Sequence, residues 1–464
     1  MNTQDTICAI ATAQGGAIGV IRISGKDAIA ITDRIFTPVS KHPLPLSERK
    51  AYTMAFGHIC QDDGEIIDEV LIGLFKSPHS YTGEDCVEIS CHGSSFILQQ
   101  VMQLLIRKGC RAAGPGEFTQ RAFLNGKMDL SQAEAVADLI ASSSAATHRM
   151  AMNQMRGGFS RELSALRERL LHLTSLMELE LDFSDHEELE FADRSELETI
   201  AGDIEKVISG LVHSFSVGNV LKNGIPVAIV GETNAGKSTL LNTLLNEEKA
   251  IVSDIHGTTR DVIEDTVNLS GITFRFIDTA GIRDTHDTIE NMGIARSFHK
   301  MEQAEIVLWV VDNTCAEAQI RQLSPRILPL CSNKQLIILL NKSDQVSAVP
   351  TKLSGLPENT VTLSISAKEK TGIQELQNLL VKTASVPELT SSDLIVTNVR
   401  HYEALSLALE DIHRVQNGLQ THLSGDFISQ DLRECLFHLA EIVGGEITAD
   451  EVLGNIFMKF CIGK

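Results

Sequence analysis

The stretch GETNAGKS, from Gly231 to Ser238, combines residue types that bind phosphate groups. It fits the pattern G-x-x-x-x-G-K-[ST] and follows the strand-like run IPVAIVG, and this context makes the pattern specific. The glycines of such a loop let its backbone N–H groups wrap a phosphate. In the same motif, we expect Lys237 to reach the β- and γ-phosphates and the Ser238 hydroxyl to ligate Mg²⁺. The alternative is a tight glycine turn without a ligand. The predicted phosphate-side residues are Asn234, Ala235, Gly236, Lys237, Ser238 and Thr239.

Three further motifs follow in order, each at the end of a strand-like run. In DTAG, the Asp can hold Mg²⁺ through water and Gly281 can sense the γ-phosphate. In NKSD, Asp344 can accept N–H bonds from guanine N1 and N2, which adenine cannot supply, and Asn341 can reinforce the pocket. In SAK, a backbone N–H can reach guanine O6. The four elements resemble the GTPase family of the P-loop class, with GTP as substrate. The residues of the three later motifs are Asp278, Thr279, Ala280, Gly281, Asn341, Lys342, Ser343, Asp344, Ser366, Ala367 and Lys368.

The segment AIVSDIHGTTRD, between the first and second motifs, has the composition of a switch loop. Thr259 suits a second Mg²⁺ ligand, whereas Ile282 stands where Ras-like proteins carry a water-orienting Gln. With Asn234 in the P-loop, this combination resembles the potassium-activated GTPases related to TrmE, Era and EngA. That resemblance implies a K⁺ ion that neutralises transition-state charge in place of an arginine. A filler role for Asn234 is the alternative. The implied K⁺ contacts are Asn234, Ser253, Ile255 and Thr258, and the predicted GTP-contacting switch residues are Ser253, Asp254, Ile255, His256, Gly257, Thr258 and Thr259.

Composition restricts the class of protein. The net charge of −21 argues against a generally basic nucleic-acid-binding coat, although it leaves room for a local basic patch. No run approaches the roughly 18 apolar residues of a membrane helix, and the N-terminus lacks a secretion signal. Nine dispersed cysteines without a CxxC pair are typical of reduced thiols. We therefore expect a cytoplasmic protein that has no membrane attachment.

Three kinds of hydrophobic pattern along the sequence predict a multidomain α/β plus all-α protein. Residues 1–120 mix short strand-like runs with glycine turns, which predicts an N-terminal α+β domain. Residues 121–221 and 384–464 show helical periodicity, with one apolar stripe at Leu163, Leu166, Leu170, Leu173 and Met177. Residues 222–383 alternate apolar strands with helices, which predicts an inserted Ras-like domain whose parallel-rich sheet has helices on both faces. Four domains in series are the alternative.

The flanking segments resemble one family along nearly the whole chain, the MnmE (TrmE) family of tRNA-modification GTPases. The stretches that carry the resemblance are DTICAIAT, GVIRISG, YTGEDCVEISCHG, PGEFTQRAFLNGKMDLSQAEAVADLI, DTAGIRDTHDTIENMGI and FCIGK. The family implies that the N-terminal domain binds a tetrahydrofolate derivative (the 5,10-methylene or 5-formyl form) and drives dimerisation. A carboxylate suits this ligand because a pterin presents adjacent N–H donors. The matching residues are Arg22, Glu88, Lys127 and Lys464.

The resemblance also implies partners and a reaction. In a homodimer, two GTPase domains meet when GTP and K⁺ bind, and Glu290 helps to orient the attacking water beside the catalytic Lys237. A FAD-dependent protein, MnmG (GidA), joins in a heterotetramer or larger complex. Together they add a carboxymethylaminomethyl-type group at C5 of the wobble uridine of certain tRNAs, using the folate one-carbon unit. The apolar ending MKFCIGK then packs on the N-terminal domain, and Cys461 is either a packed apolar residue or a reactive thiol.

Other interpretations of the same residues stay open. A regulatory GTPase switch that recruits ribosomal or stress-response partners would need no folate pocket. A helical scaffold with a vestigial GTPase domain conflicts with the intact motifs. Arg22 and Lys127 are also compatible with an exposed arginine and a helix-start lysine. Glu232 and Thr233 depart from the basic residue and proline of many relatives, and we expect their side chains to point away from the phosphates.

Overall fold

The structure is a computed structural model, and its described residues fall into two compact units. The first comprises Met1–Ala141, Ala151–Ser209 and Glu403–Lys464, and the second comprises Ser142–Met150 and Gly210–Tyr402. The described residues are 5–13, 15–40, 42, 44–142, 144–182, 194–248, 265–277, 301–332, 334–346, 356–357, 360–384, 394–445, 457, 460 and 463.

The N-terminal part of the first unit is a seven-stranded sheet. Its strands are β1 Ile7–Ile10, β2 Ile18–Ser24, β3 Phe36–Pro38, β4 Thr53–Cys60, β5 Ile66–Phe75, β6 Cys86–His92 and β7 Arg111–Ala112. They lie in the order β3-β4-β5-β6-β2-β1-β7, and neighbours are antiparallel except for the parallel pair β1 and β7. The run IIDEVLIGLF of β5 buries every second side chain, as expected for a strand with one covered face.

Two helices cover one face of this sheet, α1 (Ala28–Asp33) and α2 (Ser95–Arg107). Leu98, Val101, Leu104 and Leu105 of α2 form one core cluster with the inward side chains of the sheet. The predicted helix in SSFILQQVMQLLIRKG is therefore confirmed. Side chains that point to the opposite face of the sheet are much more exposed.

Helices follow the sheet, as the periodicity predicts. They are α3 Glu117–Leu124, α4 Leu130–Ala141, α5 Ala145–Met155, α6 Gly158–Asp182 and α7 Arg194–Asn223, and later in the chain α11 Val399–Gln420 and α12 Gly425–Val443. The predicted stripe on α6 is confirmed, since its five members are at most 3% exposed. Helix α6 packs against α12. No helix among the described residues is both long and apolar enough to cross a membrane.

The second unit contains a six-stranded sheet. Its elements are β8 Ile225–Val230, α8 Lys237–Glu248, β9 Asp265–Leu269, β10 Ile272–Phe276, β11 Ile306–Asp312, α9 Ala316–Ile327, β12 Gln335–Asn341, β13 Val361–Ser364 and α10 Ile373–Thr383. The strand order is β13-β12-β11-β8-β10-β9, in which only the edge pair β9 and β10 is antiparallel. Alternate residues of β8 enter two separate cores, one with α8 and α10 and the other with α9, because both faces are covered. The predicted parallel-rich sheet is confirmed.

Candidate functional site

The loop Gly231–Ser238 joins strand β8 to helix α8, which begins at Lys237. Two glycines are required by close approaches of the backbone. A Cβ on Gly231 would lie 2.2 Å from the Val310 carbonyl oxygen, and one on Gly236 would lie 2.1 Å from Asn341 Nδ2. The loop ends at a helix N-terminus, where unpaired N–H groups and the helix dipole favour a phosphate. The geometry fits the predicted phosphate-binding loop.

The side chain of Lys237 and the backbone of Asn234 have defined geometry in this loop. Lys237 Nζ donates to the carbonyl oxygens of Gly231 at 2.8 Å and of Glu232 at 2.7 Å, so its charge lies over the loop. Asn234 has a φ of +63°, a left-handed conformation that Asn adopts more readily than most residues. Ser238 lies in the first turn of α8. The donor set, a hydroxyl and a side-chain amide on a phosphate-binding loop, suits Mg²⁺ and K⁺ respectively.

Asn341 connects the predicted base-recognition residues to the phosphate-binding loop. This residue is 3% exposed, and its Nδ2 donates to the Ala235 carbonyl oxygen at 2.7 Å. Its Oδ1 accepts from the Ala367 N–H at 3.0 Å. Ser366 Oγ donates to Asp344 Oδ1 at 2.6 Å, which fixes the carboxylate that we expect to face guanine. Separate segments of sequence therefore converge at the carboxyl ends of β8, β12 and β13.

Two residues around this site were missed by sequence reasoning. Asp312, the last residue of β11, is 2.5 Å from Lys342 Nζ, and its carboxylate also accepts from the Thr314 N–H. Burial would raise the pKa of Asp312, but hydrogen bonds from Lys342 and Thr314 lower it overall. An acidic residue that ends an apolar strand is a usable signal for this position. Gln319 on α9, which contacts Glu232, has no comparable signal in the sequence.

The second candidate site lies on the N-terminal sheet, where Arg22 and Glu88 are directly opposite on β2 and β6. Arg22 donates to Glu88 Oε1 through Nε at 2.9 Å and Nη2 at 2.8 Å. Its guanidinium lies 5.3 Å from the Tyr81 ring and 5.7 Å from the Phe118 ring, within cation–π range. Burial raises the pKa of Tyr81, although Thr119 and Arg22 oppose this. Lys127 Nζ donates instead to the Pro78 carbonyl oxygen at 2.9 Å.

An ion network centred on the buried Arg121 lies in the same domain. Arg121 is 3% exposed and contacts Asp5, Glu84 and Glu117, so it ties the turn before β6 to helix α3. Burial would raise the pKa of Glu117, but hydrogen bonds from Arg111 and from the Gly114 N–H hold it below its usual range. An ionised Glu117 is therefore the form that the network requires.

The described residues near the end of the chain, Phe457, Phe460 and Gly463, are packed, which agrees with the predicted packing at these positions. Phe457 is 1% and Phe460 is 9% exposed, and both join a cluster with Leu130 and Ala133. Gly463 lies against strand β1, since a Cβ there would be 2.6 Å from the Ile10 carbonyl oxygen. The Gly463 carbonyl oxygen accepts from Arg22 at 3.5 Å. Gly463 thereby reaches Arg22 of the Arg22–Glu88 pair.

Several predicted site residues lie outside the described residues, and their predicted roles stay predictions. They include the implied catalytic Glu290, the implied K⁺ contacts other than Asn234, and Cys461, which is either a packed apolar residue or a reactive thiol. The complete set is Ser253, Asp254, Ile255, His256, Gly257, Thr258, Thr259, Asp278, Thr279, Ala280, Gly281, Glu290, Cys461 and Lys464.

A phosphate-binding loop followed by strand-end NKSD and SAK motifs, on a parallel-rich sheet with helices on both faces, defines a P-loop GTPase. Two family models match the chain, "GTP-binding protein TrmE N-terminus" over residues 6–127 and "MnmE helical domain" over residues 130–461. The chain belongs to the MnmE family of tRNA modification GTPases.

Curated relatives match over their full length. The tRNA modification GTPase MnmE of Bacteroides thetaiotaomicron is 67% identical, with 99% of this chain and 100% of the relative covered. Those of Phocaeicola vulgatus and Flavobacterium johnsoniae are 63% and 52% identical, and 100% of both chains is covered in each case. Among solved structures, Era in complex with MgGDPNP and a segment of 16S ribosomal RNA is 28% identical, with a TM-score of 0.27 over 40% of this chain and 66% of that chain.

Proposed function

We propose that the protein hydrolyses GTP in a cycle that depends on Mg²⁺ and K⁺ and that serves tRNA modification. The observation that carries this proposal is the position of Asn341, which bonds both the phosphate-binding loop and the SAK segment. These two bonds support the proposal because they would hold the phosphate-binding and guanine-binding segments in one arrangement. Lys237 would hold the β- and γ-phosphates, and Ser238 would ligate Mg²⁺.

Potassium dependence is the part of this proposal that Asn234 supports. Its left-handed backbone sits at the turn of the phosphate-binding loop, where a side-chain oxygen can face an ion beside the phosphates. When bound there, K⁺ supplies positive charge that stabilises the phosphoryl-transfer transition state. Glu290 would orient the attacking water, as the family resemblance implies.

The test compares GTP hydrolysis in K⁺ and in Na⁺ at equal ionic strength. We expect strong activation by K⁺ in the wild-type protein and its loss in Asn234→Ala. The variant Asn378→Ala, on the exposed side of α10, is the matched control and should keep the activation. Equal and slow rates in both salts would contradict the potassium mechanism and would favour the alternative, a regulatory switch that awaits an external activator.

We propose further that the N-terminal domain binds a tetrahydrofolate derivative at the Arg22–Glu88 pair. Arg22 occupies Glu88 Oε1, which leaves the second carboxylate oxygen as an acceptor for the N–H donors of a pterin. The nearby Tyr81 and Phe118 rings offer apolar surface. Lys127 and Lys464 would bind the carboxylates or carbonyl groups of the folate. Isothermal titration with 5-formyltetrahydrofolate should give binding that Glu88→Ala abolishes, and unchanged binding in this variant would exclude the site.

The reaction that we propose is addition of a carboxymethylaminomethyl-type group at C5 of the wobble uridine of certain tRNAs, in the cytoplasm. The FAD-dependent MnmG partner would act in the same heterotetramer or larger complex, and the folate would supply the one-carbon unit. The support is family membership together with a second candidate ligand site separate from the GTP site. Reconstitution with the partner, tRNA and folate should yield modified uridine, and omission of any one should abolish it.

We propose that the protein is a homodimer whose copies meet through the exposed face of the N-terminal sheet. Tyr52, Met54 and Phe56 on this face are 66%, 62% and 50% exposed, and Phe75 packs beside Tyr52 with ring centroids 5.9 Å apart. An apolar patch of this kind on a sheet is typical of an interface. Met54→Glu combined with Phe56→Glu should yield a monomer in analytical ultracentrifugation, whereas Phe437→Glu on α12 should not. A dimer in the double variant would exclude this face.

A further inference from the structure

The side-chain amide of Gln319 bridges the phosphate-binding loop and the end of strand β11. Its Nε2 donates to Glu232 Oε2 at 2.9 Å, and its Oε1 accepts from the Asp312 N–H at 2.9 Å. Because a carboxylate only accepts and a backbone N–H only donates, a single amide orientation satisfies both partners. Gln319 is 8% exposed, so water does not readily replace these bonds.

The bridge continues to the guanine-recognition motif. The Asp312 carboxylate lies 2.5 Å from Nζ of Lys342, the second residue of NKSD. At the other end, the Glu232 carbonyl oxygen accepts from Lys237 Nζ at 2.7 Å. Hydrogen bonds that are joined through the backbones of Glu232 and Asp312 therefore connect Lys237 to the base-recognition loop, and the side chains among them are half-buried or buried.

The hydrogen bonds of Gln319 fix the position of the charged Glu232 side chain. It adds a negative charge to a loop that must hold phosphates, and such a charge opposes phosphate binding unless its position is fixed. The hydrogen bond from Gln319 holds the Glu232 carboxylate on the side of α9. This agrees with the expectation that the side chain points away from the phosphates.

We propose that Gln319 is a positioning residue that, through Glu232 and Asp312, holds the phosphate-binding loop and the guanine-recognition loop in one arrangement and so slows nucleotide release. The inference rests on the proposed GTP site. Its contribution is indirect, because Gln319 acts through residues of the two loops and does not itself bind the nucleotide.

The test measures release of a fluorescent GDP analogue, mant-GDP, from the full-length protein after addition of excess GDP. Gln319→Glu sets two carboxylates against each other, and loss of a charge-assisted hydrogen bond predicts release about tenfold faster. In Glu232→Gln combined with Gln319→Glu, the amide and the carboxylate exchange places. Position 319 then still accepts from the Asp312 N–H, and position 232 becomes the donor. We expect this exchange to restore release to within about twofold of wild type.

Two further variants make the outcome decisive. Gln374→Glu, an exposed glutamine on α10, carries the same substitution away from the site and should release mant-GDP at the wild-type rate. Gln319→Met removes both bonds without adding charge, and it should also accelerate release should Gln319→Glu fail to fold. Release from Gln319→Glu or Gln319→Met at the wild-type rate, or an exchange variant as fast as Gln319→Glu, overturns the inference alone. Failure of the wild-type protein to bind mant-GDP overturns the proposed GTP site as well.

Discussion

Asn341 and Ala235 are joined by a hydrogen bond of 2.7 Å from the Asn side-chain amide to the Ala carbonyl oxygen. This bond connects the carboxyl end of β12 to the turn of the phosphate-binding loop. A second bond, from the Ala367 N–H to Asn341 Oδ1, brings in the SAK segment. One buried side chain thus fixes the spacing between the parts of the site that would hold the phosphates and the base.

Replacing Asn341 with Ala should therefore weaken nucleotide binding even though the side chain need not touch the nucleotide. The change leaves the Ala235 carbonyl and the Ala367 N–H without their partner, at about 1–3 kcal/mol for each buried group. We expect GDP affinity to fall at least tenfold, measured by isothermal titration. Asn378→Ala, on the exposed side of α10, should leave GDP affinity unchanged. A wild-type affinity in Asn341→Ala would mean that the two loops are held in place without this residue.

Replacing Asp344 with Asn should change the preferred base. Ser366 Oγ donates to Asp344 Oδ1 at 2.6 Å, so in the variant the amide oxygen takes that bond and the NH₂ group faces the base. An NH₂ group can donate to the C2 oxygen of xanthine but cannot accept from guanine N1 and N2. We expect GTP affinity to fall by about 100-fold or more, and XTP to bind more tightly than GTP. Preference for GTP in competition assays would contradict this assignment of Asp344.

Gly116 and Gly126 form a matched pair for testing the packed ending. Both have left-handed backbones, with φ of +63° and +66°. A Cβ on Gly116 would lie 2.7 Å from the Phe457 carbonyl oxygen, whereas one on Gly126 would meet nothing within 4 Å. Alanine costs about 1–2 kcal/mol at either position through φ alone.

The steric clash therefore predicts a larger loss of unfolding free energy for Gly116→Ala than for Gly126→Ala, by at least about 1 kcal/mol. Urea unfolding would measure the difference. Gly116→Ala should also weaken 5-formyltetrahydrofolate binding, because displacement of the ending removes the Gly463 carbonyl from Arg22. Equal losses in the two variants would show that the ending contributes little to stability.

The buried carboxyl group of Asp411 on α11 should make the free energy of unfolding depend on pH. Asp411 is 3% exposed, and its Oδ2 accepts no hydrogen bond from the described part of the chain. Burial raises the pKa of Asp411, although Arg414 and His438 oppose the shift and Glu434 adds to it. A raised folded-state pKa means that the folded protein binds this proton more tightly than the unfolded chain does. Its contribution to stability is full below the unfolded value near 3.8 and is lost as the pH rises through the folded value.

Asp411→Asn should therefore raise the melting temperature at pH 7 to 8, and the gain should shrink as the pH falls toward 4. Arg414 stays paired in this variant, since it also contacts Asp431 at 2.7 Å and Glu434 at 3.0 Å. The comparison variant Asp431→Asn removes a partly exposed partner and should lower the melting temperature at pH 7. A destabilised Asp411→Asn at pH 8 would mean that the buried charge is compensated.

Strands that are buried on both faces could be predicted from the sequence, because a short continuous apolar run bounded by turn residues is typical of them. The runs that form β8, β11 and β12 are examples. The phosphate-binding loop could also be predicted, because its glycines and Lys237 fit the pattern G-x-x-x-x-G-K-[ST]. The Arg22–Glu88 pair required the family resemblance, since 66 residues separate its members and only strand register brings them together. Arg121 was not predicted, because nothing local distinguishes a buried arginine from an exposed one.

The bond between Glu232 and Gln319 has a consequence for the evolution of the family. The proposed role of Gln319 predicts that a glutamate at position 232 requires a donor at position 319, so the two positions should change together. Among relatives, those with a basic residue at the first position should have no selection for glutamine at the second. We would then expect the glutamine at position 319 to have arisen before the glutamate at position 232. In the reverse order, an intermediate protein would carry a glutamate at position 232 without a hydrogen-bond donor to hold it.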